Sequence, residues 1–175
     1  MPKLSDDTRK HLRSSTRLVH AGRDPDQQFG FVNTPIYRGS TVLYPNMASL
    51  KTRDIPYTYG TKGTPTTRAL EEAWSEIAGA ADTVLAPSGL AAVSLALMTA
   101  LKSGDHLLVT DSAYQPTRHF CDVILKRMGV ETTYYDPLIG AGIAAQFHDN
   151  TRAILTEAPG SQSFEVQDVP AIAAE

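Results

Sequence analysis

The chain has 175 residues, 42% of them hydrophobic and 20% charged, which puts it among soluble globular proteins with enough apolar material for a core. Sixteen Lys and Arg against nineteen Asp and Glu give a formal charge of −3 with no basic run, so neither nucleic acid nor an anionic membrane surface is an expected partner. The single cysteine, Cys121, excludes an internal disulfide and a cysteine-only metal cluster, and reads as a packed core residue in a reducing compartment.

The opening MPKLSDDTRK lacks the apolar core of a secretory signal, and the longest apolar stretch, residues 90–101, is too short and too interrupted to span a bilayer. Both features point to the cytoplasm. Residues 4–21 carry Asp6 and Asp7 at the start, Leu12, Leu18 and Val19 along the way and Gly22 as a stop, the pattern of an amphipathic helix. Residues 23–59 hold Pro25, Pro35, Pro45 and Pro56 with little periodicity, which predicts an extended arm with at most a short strand at 36–43. Long irregular arms usually wrap the rest of the chain or a second subunit. Residues 67–78 form a helix just past Pro65, with Ala69, Leu70, Ala73, Trp74 and Ile77 on its apolar face and Glu71, Glu72 and Glu76 turned to water.

Residues 83–101, TVLAPSGLAAVSLALMTAL, change character at Ser88 and Gly89. Thr83, Val84 and Leu85 suit a short buried strand, and residues 90–101 suit a buried helix apolar on nearly every face. The turn between them leaves backbone N–H groups open at a helix N-terminus, where an anion such as phosphate is favoured. Taken alone, the stretch favours the plainer reading, with Ser88 as a cap and Gly89 permitting a tight turn, so the anion site needs support from other motifs. Further strands follow at 106–110, 130–135 and 153–158, with helices at 115–128 (Phe120, Ile124 and Met128 in line, Gly129 as stop) and 141–147. This alternation implies βαβ units, a parallel sheet and a ligand crevice at the carboxyl ends of the strands. Three places converge there: Ser88 to Leu90, Tyr114 four residues past a strand, and the stretch 157–160. Tyr114 can lie flat against a planar cofactor or be an ordinary loop tyrosine. Asp168 and Pro170 open a last helix that runs into the end of the chain, as in the front part of a longer protein.

The segments YTYGTKGTPTTRALEE, APSGLAAVSLAL, DSAYQPTRHFCDVILKRMGV, YDPLIGA and EAPGSQSFEVQDVPAIAAE, in this order, resemble the cystathionine β-lyase branch of the Cys/Met-metabolism pyridoxal-phosphate enzymes. The resemblance implies an α/β fold, the N-terminal part of a fold-type-I pyridoxal-phosphate transferase-like domain, with a mostly parallel sheet flanked by helices and preceded by an extended arm. It divides the chain into a helix and intersubunit arm at 1–58 and the first part of the cofactor domain at 59–175. It implies pyridoxal 5'-phosphate as cofactor, a small sulfur amino acid as substrate and a homodimer or homotetramer.

By position, Ser88, Gly89 and Leu90 would form the phosphate cup. Tyr114, the candidate catalytic residue, would stack on the pyridine ring. Tyr59 would reach the phosphate of a neighbouring subunit. The family usually has a phosphate-clamping arginine where this chain has Thr61, with Lys62 beside it as a point charge that does not reproduce the fork. The Schiff-base lysine and the aspartate at the pyridinium nitrogen would come after Glu175. The expected reaction is β-elimination of a thiol from cystathionine, giving homocysteine, pyruvate and ammonia. The alternatives are a related γ-synthase or γ-lyase, and a non-catalytic module that pairs with full-length subunits. A nucleotide-binding domain is disfavoured because neither G-x-G-x-x-G nor a P-loop pattern occurs.

Overall fold

A computed structural model describes residues 5–175, with the side chain of Asp6 outside that description. The chain forms two compact units, Met1–Leu85 and Ala86–Glu175. The loop at 59–64 and the helix after it therefore belong to the same unit as the arm, whereas the division implied by the resemblance falls at 58/59.

In the first unit the expected N-terminal helix is two short ones, α1 (Asp6–Lys10) and α2 (Ser14–His20). Ser5 caps α1 by accepting the Thr8 N–H. The arm holds a 3₁₀ turn at Pro25–Gln28 and a short α3 (Met47–Thr52), capped by Asn46. No strand forms at 36–43; the segment is extended and is tied instead to side chains and backbone of the 57–66 loop. Next comes α4 (Pro65–Ala78), with Pro65 in its first turn, Thr64 and Thr67 in a reciprocal capping box, and Gly79 in the left-handed conformation at its end. The structure corrects its orientation. Leu70, Trp74 and Ile77, expected to face the core, are exposed at 51%, 60% and 59%. Glu76, by contrast, is covered by Arg17 and Arg9, because α2 packs on that side.

Residues 83–85, the last of the first unit, pair with no described strand, so the expected strand is absent and Val84 is exposed. The second unit begins at Ala86. From there α5 (Gly89–Ala100) leads to β1 (His106–Thr110), α6 (Gln115–His119), β2 (Glu131–Tyr135), a 3₁₀ segment (Gly140–Gln146), β3 (Thr151–Leu155) and α7 (Val169–Ala174). The three strands form one parallel sheet in the order β2-β1-β3. Leu108 pairs with Thr133 on one side and Ile154 on the other.

All five β1 residues are buried, as befits a central parallel strand covered on both faces. Leu107 and Val109 point into one core with Leu97, Leu101, Cys121, Leu125 and Val130, while Leu108 packs with Tyr135, Ile143 and Ile172 on the opposite face. The helix after β1 continues past α6 as a π-helical turn, Phe120–Leu125, and stops at Gly129 as expected. Its buried stripe is Thr117, Cys121 and Leu125; of the expected Phe120, Ile124 and Met128, Phe120 packs partly buried against that core and the other two are exposed. On α5 only Leu97 is buried, and Leu90, Leu95 and Met98 remain open, so a helix apolar on all sides has cover on one.

Candidate active site at the carboxyl edge of the sheet

The strand order makes β1 the point where the chain reverses direction across the sheet. After β1 the chain turns to the α6 face; after β3 it turns to the α7 face, whose Ile172 packs into the opposite core. Loops that leave adjacent parallel strands toward opposite faces open a crevice between them, the usual ligand position in such sheets.

Both loops are firmly braced. The Tyr114 N–H donates to Glu157 Oε2 at 3.0 Å, and the Ser161 N–H donates to the Ser112 carbonyl at 2.8 Å. Buried Ser112 also shares a hydroxyl hydrogen bond with buried Thr110 at 3.0 Å. Gln167, itself buried, donates from Nε2 to the Glu157 carbonyl at 2.7 Å and accepts from the Tyr135 hydroxyl at 3.0 Å. Burial pushes the Tyr135 hydroxyl up to about 12, so it remains a neutral donor. A cis Ala158–Pro159 bond and left-handed Gln162 and Phe164 shape the loop beyond β3. On the outer side Arg118 pairs with Asp111 at 2.7 Å and lies 3.9 Å over the Tyr134 ring, whose hydroxyl donates to Asp122 at 2.8 Å. Burial and then Asp122 raise the Tyr134 hydroxyl far above its ordinary value.

This bracing leaves specific groups open. Ser88 is the N-cap of α5, and its Oγ accepts the Ala91 N–H at 3.1 Å. Gly89 and Leu90 occupy the first two helical positions, are exposed, and have N–H groups with no partner among the described residues. A Cβ at Gly89 would meet nothing within 4 Å, so an anion can approach that backbone closely. With twelve residues in α5 behind it, the helix dipole favours such an anion. Tyr114 is 51% exposed as a residue while its backbone is fixed through Glu157. An open N–H pair for a phosphate and a free aromatic face for a planar ring are what pyridoxal phosphate requires of its protein.

Ser88, Gly89, Leu90 and Tyr114 thus all lie in the second unit, the first three at the start of α5 and Tyr114 four residues past the end of β1. Tyr59 and Lys62 lie in the first, both exposed, on a turn in which the Lys62 N–H donates to the Tyr59 carbonyl at 2.9 Å. The sequence reading marked the 157–160 stretch but missed Ser112 and Gln167, the two residues that lock it. Ser112 is a polar residue two positions past a strand end, whereas Gln167 stands far from any strand, just ahead of the α7 cap, and carries no such signal.

A parallel sheet with an anion-ready helix start and an open aromatic ring at its carboxyl edge belongs to the α/β domains that hold phosphorylated cofactors. More particularly, the chain belongs to the Cys/Met metabolism PLP-dependent enzymes, whose family model matches residues 15–175. It is 56% identical over 160 residues to a Rhizobium johnstonii protein provisionally assigned as a cystathionine beta-lyase, covering 91% of this chain and 40% of that protein. It is 42% identical over 164 residues to the cystathionine beta-lyase MetC of Escherichia coli, covering 91% of this chain and 42% of the relative. Among solved structures, metB from Corynebacterium glutamicum superposes with a TM-score of 0.87 at 32% identity, covering 95% of this chain and 42% of that one. The chain therefore has the fold-type-I architecture of this family, spans about two fifths of the length of the curated relatives it matches, and belongs to a family whose cofactor is pyridoxal phosphate.

Proposed function

We propose that the protein acts, with the remainder of its cofactor domain, as a carbon–sulfur lyase that eliminates a thiol from the β-carbon of cystathionine, releasing homocysteine, pyruvate and ammonia. The observation that carries this reading is the likeness to cystathionine beta-lyases along nine tenths of the chain, joined to the open N–H pair and the free Tyr114 ring at one edge of the sheet. Bound pyridoxal phosphate supplies an electron sink for an amino acid that loses its α-proton.

The residues of this chain bind and orient. The Gly89 and Leu90 N–H groups donate to the phosphate, and the Ser88 hydroxyl, already accepting from Ala91, keeps its own hydrogen to donate. Tyr114 lays its ring on the cofactor's plane, with Glu157 holding the backbone that carries it. The arm, residues 1–58, reaches a second copy, and Tyr59 with Lys62 contacts the phosphate there, so the working form is a homodimer or homotetramer. The Schiff-base lysine lies beyond Glu175, and residues 1–175 alone do not catalyse the reaction. The compartment is the cytoplasm; among the described residues no helix is long and apolar enough to cross a membrane.

The test is product analysis with the full-length protein and cystathionine. Pyruvate with homocysteine supports β-elimination. The keto acid 2-oxobutyrate with cysteine would assign γ-elimination instead, as the name of a 30% identical Bacillus subtilis relative, cystathionine gamma-lyase, would suggest.

A further inference from the structure

The chain lacks an arginine at Thr61, where its resemblance leads one to expect a phosphate clamp, and Lys62 is exposed on its turn. Another cation stands close by. The segment around Arg38 runs along the loop that carries Tyr59: the Gly60 N–H donates to the Ser40 carbonyl at 2.7 Å, and the Tyr37 N–H donates to Thr66 Oγ1 at 2.8 Å. A Cβ on Gly60 would overlap the Gly39 carbonyl oxygen, so the two backbones touch as closely as glycine allows.

Between them lies a cavity of about 270 Å³, walled by Tyr37, Tyr57, Thr41 and Thr64, in which Arg38 is the only charged lining residue. Arg38 is also the single charge between Asp26 and Lys51 in the sequence, and no carboxylate among the described residues pairs with it. At about 30 Å³ per water the space holds several waters' worth of volume, enough for an oxyanion. A guanidinium presents paired donors that match phosphate or carboxylate oxygens, which an ammonium does not.

We infer that Arg38 is the anion-binding residue of this loop, supplying through the neighbouring segment the guanidinium that Thr61 cannot. Its ligand is an oxyanion in the site of a second copy: the cofactor's phosphate or the distal carboxylate of the substrate. The inference rests on the proposed reading of the arm as an intersubunit element.

The experiment uses full-length protein with Arg38→Met, Arg38→Lys, Lys62→Met and Tyr59→Phe. Cofactor Kd is measured by absorbance on reconstituting the apoprotein, together with the inorganic phosphate concentration that blocks reconstitution. KM is compared for cystathionine and for β-chloroalanine, which has no distal carboxylate. If the ligand is the phosphate, Arg38→Met raises the cofactor Kd and the blocking phosphate concentration about tenfold. If it is the substrate carboxylate, both stay put and KM rises about tenfold for cystathionine alone. In either case Arg38→Lys recovers only part of the loss, and the Arg38→Met effect exceeds that of Lys62→Met. The inference is overturned if Arg38→Met changes neither quantity or if Lys62→Met produces the larger loss. Should Tyr59→Phe loosen the cofactor while Arg38→Met does not, only the arginine assignment fails. Should Tyr59→Phe also leave cofactor and substrate binding intact, the intersubunit reading fails with it.

Discussion

Gly160→Ala tests whether the carboxyl edge of the sheet is as tightly locked as its hydrogen bonds indicate. Gly160 is buried; its N–H donates to the Glu165 carbonyl at 2.9 Å, and its carbonyl accepts from the Phe164 N–H at 3.1 Å. A methyl group there would lie 2.6 Å from both Cβ and Oγ of Ser112 and 3.2 Å from Glu165 Oε2. Ser112 cannot yield freely, since its hydroxyl is tied to Thr110 at 3.0 Å and its carbonyl to the Ser161 N–H at 2.8 Å. Overpacking costs about 1–3 kcal/mol, and a broken buried hydrogen bond adds roughly 1 kcal/mol. The expected destabilisation of the full-length protein is therefore about 2–4 kcal/mol. It is read as a lower urea midpoint at unchanged slope. Gly89→Ala, where the methyl meets open space, is the control for adding a methyl and should leave stability within about 1 kcal/mol. Ser112→Gly removes both clashing atoms, so Gly160→Ala made in that background should lose most of its cost. An equal cost in both backgrounds would refute the account of the lock.

Three further outcomes follow from the same geometry. Tyr114→Ala removes a stacking surface worth on the order of 1 kcal/mol, so cofactor titration should reveal a several-fold weaker complex rather than its loss. His106 is fully buried, with its ring nitrogens 2.7 and 2.9 Å from the Thr151 and Thr133 hydroxyls and its ring stacked on His148 at 4.0 Å. Burial, then the His148 ring, holds its pKa below the usual 6.5 against the pull of Glu131. The unfolded chain takes up that proton first, so the His106 contribution is complete above about pH 6.5 and is lost as the pH falls toward the folded value. Urea midpoints measured across that range should drop on acidification, and His106→Gln should flatten the drop. Cys121 is fully buried, and burial pushes its thiol up to about 11, so iodoacetamide at pH 8 should leave it unmodified in the folded protein. Alkylation at the rate of a free thiol would contradict that packing.

The parallel sheet and the Ser88–Gly89 turn were legible because each rests on local chemistry. HLLVT has no polar residue between His106 and Thr110 and can only be a strand covered on both faces, and a serine ahead of an apolar run is a cap whatever surrounds it. The strand expected at 83–85 failed for a nonlocal reason. Thr83, Val84 and Leu85 have the right propensities, but a strand needs a neighbour's carbonyl and N–H groups, and sequence does not say whether one is at hand. Composition marked the arm as extended, while its attachments, Tyr37 to Thr66 and Ser40 to Gly60, join residues 20 or more positions apart and leave no trace in a periodicity. Arg38 could have been noticed from the sequence as the one charge in a long uncharged run; its significance needed the cavity.

The helix α4 marks the sharper limit of reading a pattern. Of the apolar face read from the pattern, Ala69, Leu70, Ala73, Trp74 and Ile77, the three large members are exposed within this chain, while Glu71, Glu72 and Glu76, expected in water, are half-buried. The covered side works because its charges are satisfied by specific partners: Arg17 and Arg9 meet Glu76, and Arg68 meets Glu71, Glu72 and Asp82. The Asp82 carboxyl is held below its usual pKa, first by the Thr83 N–H and then by Arg68. Such solvent-screened pairs contribute little each, so the Arg17–Glu76 pair fixes the seating of α2 on α4 more than it drives it. Amphipathicity therefore specifies which face of a helix is costly to leave in water, but not which part of an assembly removes it. On α4 and on the open side of α5 the described residues supply no such cover, and Leu70, Trp74, Ile77, Leu90, Leu95 and Met98 all stay exposed.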